Sequence, residues 1–467
     1  MATTSHPHPR HFSIVLISSV AAIGGFLFGF DSGVINGTVE ALQAAFRSTS
    51  VGSGFNVASM LLGCAVGAFL AGNLADKMGR RPVMLIAAVF FAVSAWGSGI
   101  AESSGEFVIY RVLGGFAVGA ASVICPAYIS EIAPASVRGR LASLQQLAIV
   151  LGLFFAFLSN FLLARASGGA AEVFWWGFQA WQWMFWVELL PAGVFFFALL
   201  LIPESPRFLA AYGREAQARQ VIGRLEPHGD ADKKIAEIRA TLDQHRKPRL
   251  TDLWDSATRR IHPVVWVGIG LAAFQQLVGI NVVFYYGAVL WQAAGFSEAH
   301  ALSINVLTGA VNIGSTFVAM ALVDRWGRKP LLIFGSLGMG LALGTLTVVF
   351  GMSKLSPEGA LHLSPTTGWV ALLAANAYVF CFGVSWGPVM WVMLGEMFQN
   401  QIRGAALSVS GFAQWMANFA VTMTFPLLLT TLGLGGAYGL YTLCALVSAA
   451  FVARWIRETR GKSLEEM

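Results

Sequence analysis

Three charged side chains, Asp31, Arg111 and Glu188, lie within long apolar stretches of the sequence. An unpaired charge at the centre of an apolar span costs about 2.5–3.5 kcal/mol on the membrane-insertion scale, so it needs partners. We therefore expect the three side chains to face the protein interior and to meet there. Arg111 keeps its proton under ordinary conditions, whereas Asp31 can exist as a carboxylate or as an acid.

The predicted Asp31–Arg111 pair could act as a proton switch. Protonation of Asp31 removes one of two opposite charges, which weakens the pair and allows the helices that carry it to rearrange. A static buried ion pair, kept for packing specificity, is the alternative interpretation. The two interpretations differ in whether removing the Asp31 charge stops a proton-driven process.

Neutral amides and aromatic side chains form a second set with chemical potential. An amide both donates and accepts hydrogen bonds, and an aromatic ring covers the C–H face of a sugar ring, so the combination suits a polyhydroxylated ligand. For any single amide, a hydrogen bond between helices is the alternative role. The predicted binding residues are the amides and aromatic residues Phe28, Gln146, Gln275, Gln276, Asn281, Tyr285, Asn312, Trp391, Gln414 and Trp415, together with Gly387.

Two glycines predict breaks in the helices that carry these side chains. Gln275 and Asn281 are six residues apart in the sequence and would point about 120° away from each other on a straight helix. Gly279 lies between them and could open the helix so that both face the ligand. Together with Gly383 and Pro388, Gly387 predicts a comparable bend before Trp391, either as a moving gate or as a fixed kink.

The composition places these side chains in a membrane protein. Of the 467 residues, 56% are hydrophobic and 12% are charged, with a mean hydropathy of +0.66, so the chain cannot present an ordinary soluble surface. Stretches long enough to span a membrane, about 20 apolar residues each, recur along the chain. The twelve predicted spans, numbered in order, cover residues 12–37, 54–74, 83–101, 107–129, 139–163, 181–202, 263–291, 300–323, 330–350, 367–394, 404–430 and 435–456.

Basic residues concentrate on one side of these spans. With both termini in the cytoplasm, 26 of the 30 Lys and Arg residues are cytoplasmic, 3 lie outside and Arg111 lies within the membrane. This positive-inside bias predicts the orientation and accounts for the basic pI without nucleic acid. We expect a multi-pass protein of the cell (inner) membrane whose first span is retained rather than cleaved as a signal peptide.

The chain divides into two similar halves. Gly79-Arg80-Arg81-Pro82 follows span 2, and Gly327-Arg328-Lys329-Pro330 follows span 8 at the equivalent place. Such repetition indicates an internal duplication, which in membrane proteins usually accompanies alternating access to a central site. We predict an all-α membrane fold of twelve transmembrane helices, with pseudo-symmetric six-helix bundles at 1–202 and 262–456, a cytoplasmic helical linker at 203–261 and a cytoplasmic tail at 457–467.

Acidic residues accompany the basic ones at the cytoplasmic joints between spans. Positive charge alone is enough to mark topology, so the carboxylates there suggest a further role. We predict a gating network of ion pairs that forms when the cytoplasmic side is closed; topology marking is the alternative. Its predicted members are Asp76, Arg80, Arg81, Glu131, Arg138, Glu204, Arg207, Asp324, Arg328, Glu396, Arg403 and Glu458.

Five motifs together resemble the sugar porter family of the major facilitator superfamily, and most closely its bacterial proton-coupled pentose and hexose carriers and glucose facilitators. Each motif is weak alone, but the five occur in order and extend over nearly the whole chain. One departure is Gln182 in Trp181-Gln182-Trp183-Met184, where relatives usually have arginine. The motifs are Gly79-Arg80-Arg81, Gly327-Arg328-Lys329, Pro203-Glu204-Ser205-Pro206-Arg207, Gln275-Gln276-Leu277-Val278-Gly279-Ile280-Asn281 and Glu458-Thr459-Arg460-Gly461-Lys462-Ser463-Leu464.

The resemblance implies transport of a monosaccharide by alternating access, coupled to protons through Asp31, Arg111 and Glu188. Facilitated diffusion is the alternative, because some bacterial facilitators keep the aspartate. The resemblance also implies that Gln146, Gln275, Gln276, Asn281 and Asn312 bind pyranose hydroxyls, with aromatic contacts from Phe28, Trp391 and Trp415.

Other classes of protein fit the sequence less well. Gly461-Lys462-Ser463 lacks the glycine that a phosphate-binding loop has five residues earlier, and no catalytic triad or ligand pattern occurs within the spans. We therefore expect neither an enzyme nor a cofactor nor a metal. A transporter-like sugar sensor could keep the same binding residues. We expect a monomer in the lipid bilayer that binds a sugar and a proton but no nucleic acid.

Overall fold

The computed structural model describes residues 10–134, 137–225, 230–244, 250–255, 260–355, 361–399 and 401–460, most of which are helical. The first half begins with helix α1, continues through a 3-10 turn at Ile35–Gly37, and has a second 3-10 turn at Trp175–Gly177. Serine and threonine hydroxyls cap the first turns of some of its helices. The Ser103 hydroxyl oxygen, for example, accepts a hydrogen bond from the Glu106 N–H at the start of α5. Its helices are α1 (Arg10–Val34), α2 (Val39–Phe46), α3 (Ser50–Met78), α4 (Arg80–Ile100), α5 (Ser104–Ile132), α6 (Arg138–Ser167), α7 (Ala180–Trp186) and α8 (Leu189–Leu201).

The segment between the halves forms short helices. They are α9 (Pro206–Ala211), α10 (Glu215–Leu225) and α11 (Ala231–Gln244). A 3-10 turn at Leu250–Leu253 and an antiparallel pair of two-residue strands, β1 (Trp254–Asp255) and β2 (Arg260–Ile261), lead into the second half. Val221, Ile222 and Leu225 of α10 are buried, while its charged residues face outward, so these helices pack by one apolar face.

The second half repeats the plan of the first. A pair of two-residue antiparallel strands, β3 (Lys354–Leu355) and β4 (Leu361–His362), joins α15 to α16. The helices are α12 (Pro263–Leu277), α13 (Ile280–Ala293), α14 (Glu298–Trp326), α15 (Arg328–Met352), α16 (Pro365–Val384), α17 (Trp386–Met397) and α18 (Arg403–Trp455).

Helix α18 accounts for two of the predicted spans. Its 53 residues would extend about 80 Å, far more than the roughly 30 Å hydrocarbon core of a bilayer. Gly433 interrupts it with φ 66° and ψ 178°, within the connection predicted between spans 11 and 12. The described residues contain 11 helical runs that are long and apolar enough to cross a membrane, and this run supplies two spans, which gives the predicted twelve.

Three other spans are each divided into two helices. Span 6 breaks between α7 and α8 at Val187 and Glu188, and span 7 breaks between α12 and α13 at Val278 and Gly279. Span 10 breaks between α16 and α17 at Ser385, whose φ is −123° and ψ is −89°. The breaks in spans 7 and 10 lie where the glycines predicted them, whereas the sequence analysis did not predict the break at Glu188.

Glycines let pairs of helices approach within backbone contact. A Cβ on Gly63 of α3 would lie 2.1 Å from the Val112 carbonyl oxygen, and one on Gly115 of α5 would lie 1.9 Å from that of Met60. Helices α1 and α6 meet in the same way at Gly29. Such close packing is typical of small residues between membrane helices.

Hydrogen bonds between the two halves concentrate at one end of the bundle. Asn36, which follows α1, donates from Nδ2 to the Phe284 carbonyl (2.8 Å) and accepts from the Ala288 N–H (3.1 Å). Nearby, Glu298 Oε1 accepts from the Ala170 N–H (2.9 Å). We call this the outer end, and we call the end with the glycine–basic loops the basic end. The halves are therefore tied together at the outer end.

Candidate binding site and buried ion pair

Asp31 of α1 and Arg111 of α5 form the predicted ion pair in the interior of the first half. Arg111 Nη1 donates to Asp31 Oδ1, and Nη2 donates to the Asp31 carbonyl oxygen (3.1 Å) and to Met60 Sδ (2.9 Å). Both side chains are 1% exposed, and the guanidinium lies 5.6 Å from the Phe185 ring centroid. The other oxygen of the Asp31 carboxyl group, Oδ2, has no hydrogen-bond partner.

Glu188 lies at the break between α7 and α8 and is also 1% exposed. Neither of its carboxyl oxygens has a hydrogen-bond partner in the described structure. It lies close enough to Asp31 and Arg111 to interact with their charges. The three charged residues therefore gather as expected, but only Asp31 and Arg111 are directly paired.

A chain of hydrogen-bonded amides crosses the break in span 7. Asn281 Nδ2 donates to Gln276 Oε1 (2.6 Å), and Gln276 Nε2 donates to Gln275 Oε1 (3.0 Å). Gln414 of α18 donates to the same Gln275 oxygen (3.2 Å), while Gln275 Nε2 donates to the Trp386 carbonyl (3.2 Å). Four predicted binding residues from three helices thus form one polar surface inside the second half, which we call the amide chain.

Aromatic rings connect the amide chain to the first half. The ring centroids of Phe28 in α1 and Trp415 in α18 are 5.9 Å apart. Tyr285 of α13 is buried, and its hydroxyl faces Ser32 of α1 and Asn418 of α18. These contacts bring three aromatic members of the predicted site, Phe28, Tyr285 and Trp415, to the boundary between the halves.

Four predicted binding residues belong neither to the amide chain nor to these aromatic contacts. Asn312 is buried, with its Oδ1 toward Gly383 of α16, and Gly387 is half-buried one residue after the start of α17. Gln146 is half-buried in α6, and Trp391 is 43% exposed. Among the described contacts, no hydrogen bond or ring stacking joins these last two side chains to the amide chain. Their role in binding stays a prediction.

The sequence analysis missed two polar residues beside the predicted site. Gln145 is buried in α6, and neither atom of its amide has a hydrogen-bond partner. Trp386 is fully buried, and its Nε1 donates to Ser336 Oγ (2.8 Å). The signals were available: Gln145 adjoins Gln146 in an apolar helix, and Trp386 directly precedes Gly387 at the predicted bend.

The predicted ionic residues of the first half meet at the basic end. Arg80 Nη2 lies 3.0 Å from Glu131 Oε1 and 3.4 Å from Asp76 Oδ1. Glu204 accepts hydrogen bonds from the backbone N–H groups of Arg80 and Arg81, both at 3.1 Å. Burial raises the pKa of Glu204, whereas these backbone N–H groups and that of Ser205 act to lower it.

The second half repeats this cluster almost residue for residue. Arg328 Nη2 lies 2.9 Å from Glu396 Oε1, and Nη1 lies 3.2 Å from Asp324 Oδ1. Glu458 accepts from the backbone N–H groups of Arg328 (3.0 Å) and Lys329 (2.9 Å). Burial acts to raise the pKa of Glu458, but its backbone donors outweigh this and hold the pKa below its usual value.

Each cluster joins helices of one half only. Among the described residues, no ion pair links the Arg80 cluster to the Arg328 cluster, so the predicted network consists here of two separate parts. Arg81 and Arg403 donate to backbone carbonyls instead, those of Leu199 and Phe398 respectively. Arg207 is exposed, and the side chain of Arg138 lies outside the described part of the chain.

Comparisons with known proteins agree with this architecture. The family model described as "Sugar (and other) transporter" matches residues 17–467. The glucose transport protein of Synechocystis is 53% identical over 455 residues, 97% of each chain, and the D-xylose-proton symporter of Escherichia coli K12 is 38% identical over 98% of this chain and 94% of its own.

A solved structure extends the similarity to three dimensions. The inward-open conformation of the xylose transporter XylE from E. coli superposes with a TM-score of 0.82 at 36% identity, covering 97% of this chain and 98% of that one. Twelve spans in two halves, the paired loops and these matches lead to one conclusion. The chain belongs to the sugar porter family of the major facilitator superfamily.

Proposed function

We propose that this transporter moves a hexose or pentose across the cytoplasmic membrane by alternating access, in symport with protons. The amide chain is the observation that carries the proposal. It presents donors and acceptors from both sides of the break at Gly279, with the Phe28–Trp415 ring pair at the boundary of the halves. Sugar hydroxyls can replace the bonds within this chain, because they donate and accept in the same way.

Proton coupling is supported by the asymmetry of the Asp31 carboxyl group. Arg111 engages Oδ1 and the backbone carbonyl, whereas Oδ2 is buried without a partner and is available to take a proton. Protonation would weaken the pair between α1 and α5 and release the constraint on α1. Because Phe28 is one helical turn from Asp31, movement of α1 would change the sugar site.

Alternating access is supported by the closure of the outer end. Asn36 and Glu298 tie the halves together there, while the ionic clusters of the basic end stay within their own halves. We infer an inward-facing state with both termini in the cytoplasm, consistent with the similarity to an inward-open relative. In this proposal, the two clusters meet when the cytoplasmic side closes.

Uniport is the second candidate function. The two contacts that Arg111 makes with Asp31, at Oδ1 and at the backbone carbonyl, would also suit a permanent structural pair. Uptake of labelled glucose and xylose into proteoliposomes, with and without an inside-alkaline pH gradient, separates the two. Uphill accumulation supports symport, equilibration alone supports uniport, and the absence of both sugar uptake and exchange would overturn the proposal.

A further inference from the structure

Unpartnered oxygen atoms gather beside the Asp31–Arg111 pair. Ser94 of α4 is 1% exposed, and its Oγ has no hydrogen-bond partner. The same is true of Asp31 Oδ2 and of both oxygens of Glu188. Buried polar atoms without protein partners are rare because each forfeits its hydrogen bonds to water, so a group of them indicates a site for a water, an ion or a proton.

Gly114 of α5 shows that Ser94 and Asp31 face the same point. A methyl group placed on Gly114 would lie 2.3 Å from Ser94 Oγ and 3.1 Å from Asp31 Oδ2. The two oxygens are not hydrogen-bonded to each other, since neither has a partner. One water that makes two hydrogen bonds of about 2.8 Å bridges oxygens up to about 5.6 Å apart. The two distances from the added methyl group keep the oxygens within this limit, so one water can bridge them.

We propose that Ser94 is a positioning residue of the proton site and holds a water molecule against Asp31 Oδ2. This inference rests on the proposed proton symport. When Asp31 is ionised, the Ser94 hydroxyl donates to the water and the water donates to Oδ2. When Oδ2 carries the proton, it donates to the water and the water donates to Ser94 Oγ. The hydroxyl can reverse its role because it both donates and accepts.

Other groups around the carboxyl group cannot take this role. Arg111 is a donor only and already engages Oδ1, and no hydrogen bond joins Glu188, at the start of α8, to Asp31. Cys64 of α3 and Tyr285 of α13 also approach the pair, but a thiol is a weak hydrogen-bonding group, and the Tyr285 hydroxyl faces Ser32 and Asn418. Ser94 is the neutral hydroxyl that converges with the free Asp31 oxygen.

The test compares Ser94→Ala with wild type and with Ser18→Ala in proteoliposomes. Ser18 is also fully buried with an unpartnered hydroxyl, but it lies about 20 Å from Asp31 along α1. We expect Ser94→Ala to keep sugar counterflow. In wild type the water-mediated hydrogen bond stabilises the charged form of Asp31, so its loss should move the pH midpoint of proton-driven uptake to higher pH by about 0.5–1 unit. Ser18→Ala should leave the midpoint unchanged, and Ser94→Cys should fall between.

Infrared difference spectroscopy adds a readout that a merely structural role would not move. The C=O band of protonated Asp31 should shift in Ser94→Ala and disappear in Asp31→Asn. If Ser94→Ala does not fold, the same band and pH midpoint are measured in Ser94→Cys. A wild-type midpoint and band in the Ser94 variants would overturn the inference, whereas wild-type protein without proton-driven uptake would overturn the proposed symport itself.

Discussion

Asn281 donates a 2.6 Å hydrogen bond to Gln276 although a straight helix would point the two side chains about 140° apart. The break at Gly279 makes this possible, because Gly279 has φ +86° and starts a new helix with a new direction. The positive φ costs a glycine little, whereas other residues are strained there. The sugar site proposed above therefore depends on one backbone conformation.

Gly279→Ala should weaken both the fold and sugar binding. Besides the strain of a positive φ, its Cβ would lie 2.7 Å from the Tyr441 ring, so we expect a loss of about 1–3 kcal/mol in unfolding free energy. Thermal unfolding in detergent and sugar titration measure the two effects. Gly314→Ala is the matched control, since no atom lies within 4 Å of the Cβ it adds. Equal melting temperatures for the two variants would contradict this account of Gly279.

Gln276→Ala should raise the KM for sugar exchange by about 10–100-fold, because Gln276 is the middle member of the amide chain and contacts both neighbours. Counterflow of labelled sugar measures this. Asn376→Ala is the control, since Asn376 is also an amide within a span, but it is half-buried and donates to the Leu372 carbonyl of its own helix. An unchanged KM in Gln276→Ala would remove the amide chain from the sugar site.

The limits of sequence reasoning are visible in particular residues. The break at Gly279 was predictable, because a straight helix cannot turn Gln275 and Asn281 to one face and glycine tolerates the backbone conformation that a break requires. The direction of each amide in the chain could not be predicted, because it depends on neighbours such as Gln414, which is 139 residues from Gln275. Ser94 gave no signal, since a lone serine in an apolar helix usually bonds to its own backbone.

The arrangement of the ionic residues at the basic end was likewise predictable only in part. Their repetition in two loops predicted an internal duplication, and each half has a cluster that matches the other. The sequence did not show that Glu204 and Glu458 bind backbone N–H groups at the starts of α4 and α15. Nor did it show that both clusters stay within one half, because contact between halves depends on the conformational state.

Asp31→Asn should abolish uphill, pH-driven accumulation and leave sugar exchange in place. Asparagine keeps the shape of aspartate but cannot take up a proton, so the link between the proton gradient and α1 is lost. Parallel accumulation and counterflow assays measure the two activities. Asp232→Asn makes the same chemical change on the exposed α11 of the linker and serves as control. Undiminished accumulation in Asp31→Asn would remove this residue from coupling.

Two carboxyl groups at the outer end predict that its closure depends on pH. Glu40 of α2 and Glu298 of α14 line a cavity of about 130 Å³ between the halves, with Gln292 and Asn36. Although the Glu40 side chain is exposed at the cavity rim, burial of its carboxyl group raises its pKa, and Glu298 adds to the rise while a hydrogen bond from Gln292 opposes it. Closure therefore favours the protonated form of Glu40.

The outer end should be most firmly closed at low pH and should open more readily as the pH rises through the raised pKa of Glu40. Glu40→Gln removes the repulsion from Glu298, so we expect closure in this variant to vary less with pH. Spin labels on Val51→Cys and Leu432→Cys, exposed positions of the two halves, would report the separation after the 4 native cysteines are replaced. Glu102 is an exposed carboxylate at the same end, so Glu102→Gln should keep the wild-type pH response and serves as control. If Glu40→Gln gave the same pH profile as Glu102→Gln, Glu40 would not govern closure.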